Sequence, residues 1–351
     1  MFGTKNRQIQ ASKNTSFAAI KKCVLTLLCI IFYTIAKAQD PQFTQFYATP
    51  LYLNPAFTGL TYEHRFTANY RNQWPGVKRA YTTYMATYDY NISGLNSGIG
   101  FFLLQDKAGS SNLVTTQSGF NFAYRIKVGK FAEARAGLQL VNVQKKLDNT
   151  KLIFNDQFIT GSAISQDAIS IDKISYLDVG LGGLFNSTNY WGGFALKHIN
   201  QPNASMVGNI EPLPLFMSVH GGYRYIITAR GAGKTKLEEF VSASVHYRHE
   251  QKYDQLDIGA YYFKQLINIG IWYRGLPFKK YKPGYASRES IALLLGLEIP
   301  DKNLKIGYSY DLTVSKLSIN NTLGAHELSL VYEIAKKHKR NRRVLVTCPK
   351  F

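Results

Sequence analysis

The feature that most constrains this chain is an alternation of apolar and polar side chains, recurring from about residue 62 to about residue 335. Leu304, Ile306, Tyr308, Tyr310 and Leu312 alternate with Lys305, Gly307, Ser309 and Asp311. A period of two is a strand with one apolar and one polar face. Phe120, Phe122, Tyr124 and Ile126 oppose Asn121, Ala123, Arg125 and Lys127 in the same way. So do Ile267, Ile269, Ile271 and Tyr273 against Asn268, Gly270, Trp272 and Arg274, and Leu328, Leu330, Tyr332 and Ile334 against Glu327, Ser329, Val331 and Glu333.

The alternation divides into fourteen expected strands, near 62–72, 80–90, 95–105, 115–128, 132–145, 174–186, 189–198, 215–228, 237–249, 255–263, 266–275, 289–299, 302–312 and 324–335. Most run about 9–14 residues, against about 5–6 for an average soluble strand. A tilted strand crossing a bilayer needs about 9–11. The expected connections also alternate. Odd ones span 73–79, 106–114, 146–173, 199–214, 250–254, 276–288 and 313–323; even ones span 91–94, 129–131, 187–188, 229–236, 264–265 and 300–301. Long loops at one end and short turns at the other are the pattern of bacterial outer-membrane barrels.

The expected fold is therefore all-β: a transmembrane antiparallel outer-membrane β-barrel of about 14 strands. Closure has a simple cause, because in lipid every backbone polar group must be paired and a sheet can have no open edge. Tyr70, Tyr88, Tyr90, Tyr190, Tyr273 and Tyr310 are placed to form interfacial girdles. The alternative is a large secreted β-sandwich, which also alternates but needs neither such long strands nor the loop asymmetry. An even count puts both termini at the short-turn end, expected to be periplasmic, with the long loops extracellular.

The inferred inward face carries Arg65, Arg71, Arg125, Arg135, Asp178, Asp257, Arg274, Glu298, Lys305, Asp311, Glu327 and Glu333, with bulky Trp272 among them. Mixed signs suggest a lumen filled by ion pairs, and a solvated channel is the alternative. Arg71, Arg274, Lys305, Asp311 and Glu327 are the candidate lumen ion pairs.

Residues 1–38 hold six basic residues and no acids. Cys23–Ile35 is an apolar run, followed by Ala36-Lys37-Ala38. A basic start, an apolar core and a small-x-small site describe a cleaved signal peptide. The run is short for a membrane anchor, which needs roughly 20 residues. Leu28 before Cys29 does not suit a lipoprotein site. Losing those six positive charges lowers the formal net charge from +20 to +14. Only Cys348 then remains, so no internal disulfide is expected.

Residues 39–61 carry Pro41, Pro50 and Pro55 and resist a regular strand. They are expected to plug the lumen or strap its mouth, with the barrel at 62–335 and a basic tail at 336–351. Asn54 and Asn72 read as turn formers.

No set of residues supports catalysis or a cofactor. Gly231-Ala232-Gly233-Lys234-Thr235 resembles a phosphate-binding loop, but Thr228 stands where that pattern needs glycine. His246 and His249 fall on opposite faces of a strand, and His198, His220 and His326 lack partners at ligand spacing. Cys348 has no evident base beside it. The tail residues Lys336, Lys337, Lys339, Arg340, Arg342 and Arg343 are read either as a solvated stop or as a periplasmic dock for an acidic protein surface. Nucleic-acid binding fits the charge but not an exported chain.

A series of motifs runs along nearly the whole mature chain: Gln39-Asp40-Pro41-Gln42-Phe43, Asn54-Pro55-Ala56-Phe57-Thr58-Gly59, Tyr70-Arg71-Asn72-Gln73-Trp74-Pro75 and Asp106-Lys107-Ala108-Gly109. It continues through His198-Ile199-Asn200-Gln201-Pro202, Trp272-Tyr273-Arg274-Gly275, Gly307-Tyr308-Ser309-Tyr310-Asp311, Ala325-His326-Glu327-Leu328 and Cys348-Pro349-Lys350-Phe351. In their order these resemble the PorP/SprF family of the Bacteroidetes type IX secretion and gliding system. Around Tyr81-Thr82-Thr83 the chain departs from the family, which usually has Phe or Pro there. The resemblance implies a non-enzymatic outer-membrane barrel. Such proteins help secrete or display cargo with a C-terminal sorting domain, including gliding adhesins, or join the apparatus near its periplasmic ring. Trp74, Asp106, Asn200, Gln201 and Pro202 fall in or beside the expected outer loops, where they either shape a partner surface or pack those loops. A passive porin or solute transporter is the competing function, and an outer-membrane hydrolase a third.

Overall fold

The computed structural model describes residues 40–60, 63–78, 81–109, 113–129, 131–148, 155–162, 165, 173–206, 208–230, 237–251, 253–282, 285–315 and 317–334. Met1–Gln42 and Phe43–Phe351 are separate units, and of the first only residues 40–42 are described. The leader expected at 1–38, the glycine-rich 231–235 turn and the basic tail lie outside the described residues.

The second unit is a closed antiparallel barrel of fourteen strands in sequence order. The strands are β1 (His64–Gln73), β2 (Tyr81–Ile92), β3 (Ser97–Ala108), β4 (Leu113–Lys127), β5 (Ala132–Lys146), β6 (Lys173–Ser187) and β7 (Tyr190–Lys197). They continue as β8 (Phe216–Arg230), β9 (Leu237–Glu250), β10 (Tyr253–Lys264), β11 (Ile267–Lys282), β12 (Tyr285–Ile299), β13 (Leu304–Thr313) and β14 (Ala325–Ile334). β1 closes on β14, from His64 opposite Ile334 to Gln73 opposite Ala325. The start of β1 and the end of β14 therefore share one end, the short-turn end.

Two expectations need correction at the other end. The loops expected at 250–254 and 276–288 give way largely to strand, because β10 starts at Tyr253 and β11 and β12 keep pairing as far as Lys282 and Tyr285. Gly275 with φ 141° and a series of register shifts from Arg274 onward break the alternation there. A broken two-residue period reads as a loop in sequence, although the backbone still pairs.

The alternation sorts the side chains to two sides of the wall. In β14, Glu327 and Ser329 are 1% and 2% exposed, while Leu328 and Leu330 are 50% and 42% exposed. Ile267, Ile269 and Ile271 form part of the outer apolar belt. Among the described residues no helix is long and apolar enough to cross a membrane, so crossing falls to the strands.

Residues 43–60 run through the lumen. They form a 3-10 turn at Phe46–Ala48, a helical turn at Pro50–Leu53 and a second 3-10 turn at Pro55–Phe57. Pro50 and Pro55 each begin a turn, where a missing N–H costs nothing and the fixed φ suits helical entry. Phe46, Leu53, Ala56 and Phe57 join wall residues Leu184, Trp191, Tyr261, Trp272 and Leu294 in one apolar cluster. Phe43 and Tyr52 join Met85, Phe102, Leu104, Val141 and Val143 in another.

Candidate functional site

The lumen segment is gripped along its length by side chains of the wall. Asn54 sits at the centre. Its extended backbone, φ −159° and ψ 122°, lets the side-chain oxygen accept the Ala56 N–H at 2.8 Å and cap the following turn. Its amide nitrogen donates to the Gly183 and Phe194 carbonyls, both at 3.0 Å, and lies 3.2 Å from His220 Nε2. A Cβ at Gly182 would strike the Asn54 amide, and one at Gly137 would strike the Pro55–Ala56 backbone, so the wall admits this segment only because both are glycine. Nearby, Asn121 and Gln139 donate to the Leu51 carbonyl at 3.0 and 3.1 Å, and Arg135 donates to the Ala56 and Thr58 carbonyls. Asp89 accepts the Gly59 N–H at 2.7 Å while paired with Arg65.

Charge dominates at the long-loop end. The Glu327 carboxylate accepts the Thr44 and Gln45 N–H groups at 2.7 and 3.0 Å. Gln45 returns a bond to the Glu327 carbonyl at 2.9 Å. The Thr44 hydroxyl donates to Asp311 and accepts from Arg71 at 2.6 Å and Arg274 at 3.0 Å. Arg71 pairs with Asp311 at 2.8 Å and Glu327 at 3.1 Å, and Arg274 with Asp311 at 3.2 Å. The network continues through Asp257, which pairs with Arg248 at 2.6 Å. Arg71, Arg248 and Arg274 thus face Asp257, Asp311 and Glu327, all buried. Opposite charges buried in equal number satisfy one another, whereas one of them alone would be costly.

The five candidate lumen ion-pair residues therefore divide. Arg71, Arg274, Asp311 and Glu327 meet around Thr44; Lys305 lies elsewhere and pairs with Glu333 at 3.3 Å. Arg71, Asp311 and Glu327 each lie two residues from the long-loop ends of their strands. The segment thus climbs from the short-turn end at Leu60 to Thr44 in the long-loop half.

Sequence spacing does not connect His220 with His246, but register sets them opposite each other across β8 and β9, with ring centroids 5.9 Å apart. His220 stacks on Phe57 at 5.7 Å and His246 packs on Phe46 at 5.5 Å. They serve as ring surfaces for the lumen segment, and among the described residues no three metal-ligating groups converge. Asn54 caps a turn, as its sequence suggests, whereas Asn72 pairs within β1; the wall contacts of Asn54, Thr44 and Gln45 have no signal in the sequence. Asn54 lies inside a recognised motif, but its partners are far along the chain.

The candidate outer-loop residues turn out to be engaged within the barrel end. Trp74, with φ 61°, donates its N–H to the Gly324 carbonyl at 2.8 Å and packs its ring on Tyr81. Asp106 stands in β3 and accepts from Thr83 at 2.6 Å. Asn200 binds the edge of β6: its oxygen accepts the Val179 N–H at 3.0 Å and its nitrogen donates to the Leu177 carbonyl at 2.7 Å. His198 and Gln201, at φ 58° and 43°, turn the chain on either side of it, and the Pro202 carbonyl accepts from Leu213. Lys336, Lys337, Lys339, Arg340, Arg342 and Arg343 lie outside the described residues.

A closed barrel of long strands, apolar outside and lined inside with paired charges around an internal segment, defines an integral outer-membrane β-barrel. The chain belongs to the type IX secretion system membrane protein PorP/SprF family, whose model matches residues 35–332. No curated protein matches it. Among solved structures, the toluene transporter TodX of Pseudomonas putida is similar at 11% identity, TM-score 0.45, over 81% of this chain and 92% of that one. The outer membrane protein Omp33 of Acinetobacter baumannii is similar at 8% identity, TM-score 0.40, over 79% of this chain and all of that one. CdiB from Acinetobacter baumannii is similar at 8% identity, TM-score 0.44, over 78% of this chain and 60% of that one.

Proposed function

We propose that this chain is a non-enzymatic barrel of the type IX secretion system that supports secretion or surface attachment of a protein with a C-terminal sorting domain. Its long loops face outward; the end of β14 and the basic tail face the periplasm, where the tail docks on acidic surfaces of the secretion apparatus. The observation that carries this reading is family membership over residues 35–332. The lumen supports it further. A passive porin keeps a water-filled path, whereas here residues 43–60 occupy the lumen and hydrogen-bond to the wall at both ends. Partner contact then falls to the two ends of the barrel.

The test is deletion of the gene followed by a census of surface and secreted proteins. Loss of one or more sorting-domain proteins is expected, and unchanged display of all of them overturns the cargo role. Purified protein in a planar bilayer should show little steady conductance. Large open-channel currents would instead select the porin.

A further inference from the structure

The wall steps down in height between β6 and β7. β6 runs from Lys173 to Ser187, but β7 covers only its lower part, pairing from Leu181–Leu196 to Asn186–Trp191. The rest of that edge begins with a cap. Ile199 donates to the Val179 carbonyl at 3.1 Å, and Asn200 takes the Val179 N–H and the Leu177 carbonyl. An amide side chain offers a donor and an acceptor side by side, like the backbone of a next strand, and here it stands in for one residue of that strand. Asn200 ends the cover, since Gln201 turns away at φ 43°.

Strand geometry gives the direction of the groups beyond the cap. Val179 and Leu177 turn main-chain groups toward the β7 side, so by the two-residue period Ser175 and Lys173 do as well. Among the described residues, the Leu177 N–H and the N–H and C=O of Ser175 and Lys173 on that side have no partner. This stretch also stands clear of lipid. The outward residues Lys146, Gln144 and Asn142 of β5 lie opposite Lys173, Ser175 and Leu177, and Ser118 and Thr116 continue the polar surface on β4. Leu177, 54% exposed, is the apolar outward side chain of the stretch, and a continuous apolar surface resumes below at Leu138, Leu140 and Leu181. An open edge in water can persist, whereas one in hydrocarbon cannot.

We infer that Lys173–Leu177 of β6 is a strand-addition site at the long-loop end, taking an extended acidic segment of a partner protein. The main-chain groups supply the hydrogen bonds, as in other cases of β-augmentation. Charge selects the occupant: Lys146 and Lys173 stand directly opposed on the outer face beside the edge, a like-charged pair that an acidic side chain relieves, while Asp148 and Asp172 are the acids nearest in sequence. A second copy of the chain paired edge to edge would bring two sets of these lysines together, which repel. The site does not depend on the secretion role, because it follows from the step in the wall alone.

The probe is a ten-residue peptide of alternating glutamate and valine, titrated by fluorescence anisotropy into the purified full-length barrel in detergent. Its counterpart, with lysine for glutamate, is the control. Saturable binding of the acidic peptide is expected, at least about tenfold tighter than the control, with slower hydrogen exchange at the Ser175 and Leu177 amides. Ser175→Pro removes an N–H on the open side, together with the long, exposed bond its hydroxyl accepts from Asn142, and blocks an incoming strand, so it should abolish binding with little change in the melting temperature. Lys173→Glu combined with Lys146→Glu leaves the backbone untouched and should reverse the preference between the peptides, which keeps a readout if the proline variant does not fold. No saturable binding, equal binding of both peptides, or amides at Ser175 and Leu177 already protected without peptide would each overturn the site.

Discussion

The two ends of the lumen segment are held by different chemistry. At the long-loop end, Thr44 and Gln45 are locked by Glu327, Asp311, Arg71 and Arg274, a network of full charges. Around Asn54 the grip is made of amide groups, backbone carbonyls and glycine-sized gaps. The first is sensitive to deletion, because every member compensates another at buried positions. The second is sensitive to bulk, because its fit depends on what is missing from the wall. A barrel that had only to fill its interior would not need both. The pairing fixes the segment in position along the axis and in rotation about it.

The strongest break in this comparison is Glu327→Ala. It removes the acceptor of two main-chain N–H groups and leaves Arg71 with one carboxylate in place of two. A buried charge stripped of a partner costs about 3–5 kcal/mol. The midpoint of urea unfolding in detergent should fall accordingly. A thiol placed by Ala48→Cys, in a chain whose Cys348 is replaced by Ser, should also become open to labelling, since Ala48 is 1% exposed in the closed state. Glu327→Gln keeps shape and should recover part of the loss.

Next in size is Gly137→Leu. Its side chain would have to enter the space of the Pro55–Ala56 backbone, which cannot move aside as a side chain can. Overpacking of this kind costs about 1–3 kcal/mol. Labelling at Ala48→Cys should rise here too, and single-channel recordings should show new openings if the turn leaves the lumen. Asn54→Ala loses the cap and two carbonyl bonds but adds no bulk. Its cost should be about 1–3 kcal/mol, with the turns still seated. If Asn54→Ala opened the lumen and Gly137→Leu did not, the contrast between a grip sensitive to bulk and one sensitive to deletion would fail.

The sequence made the wall legible because each strand carries its own evidence: period two sorts Leu328 from Glu327 without knowledge of any neighbour. The fold class follows from repeating that local test fourteen times. The grip on the lumen segment was not legible in the same way. The partners of Asn54 lie at Gly183, Phe194 and His220, brought together only by closure of the barrel. His220 and His246 meet through register, which spacing along one chain does not encode. Asn200 shows a further limit. A polar residue in a long loop reads as partner surface or as loop packing, and which strand edge it completes is visible only once β7 is seen to stop short. The hairpin over β11 and β12 is hidden for the opposite reason, since register shifts mask its pairing behind a composition typical of loops.

The smallest expected effect tests whether position in the lumen or membership of the network decides cost. Lys305 is inward-facing and paired, like Arg71, but its partner Glu333 has a side chain 25% exposed, and the Lys305 side chain is itself 13% exposed. Water reaches this pair, so its Coulomb attraction is screened and losing it strands no buried charge. Lys305→Ala should therefore shift stability by no more than about 1 kcal/mol and leave Ala48→Cys closed to labelling. A loss as large as that of Glu327→Ala would mean that the whole charged lining acts as one unit, with the lumen segment secured from the short-turn end as firmly as from Thr44. A small loss would confine the ionic grip to the four residues around Thr44, and leave Lys305 as wall chemistry that the segment does not feel.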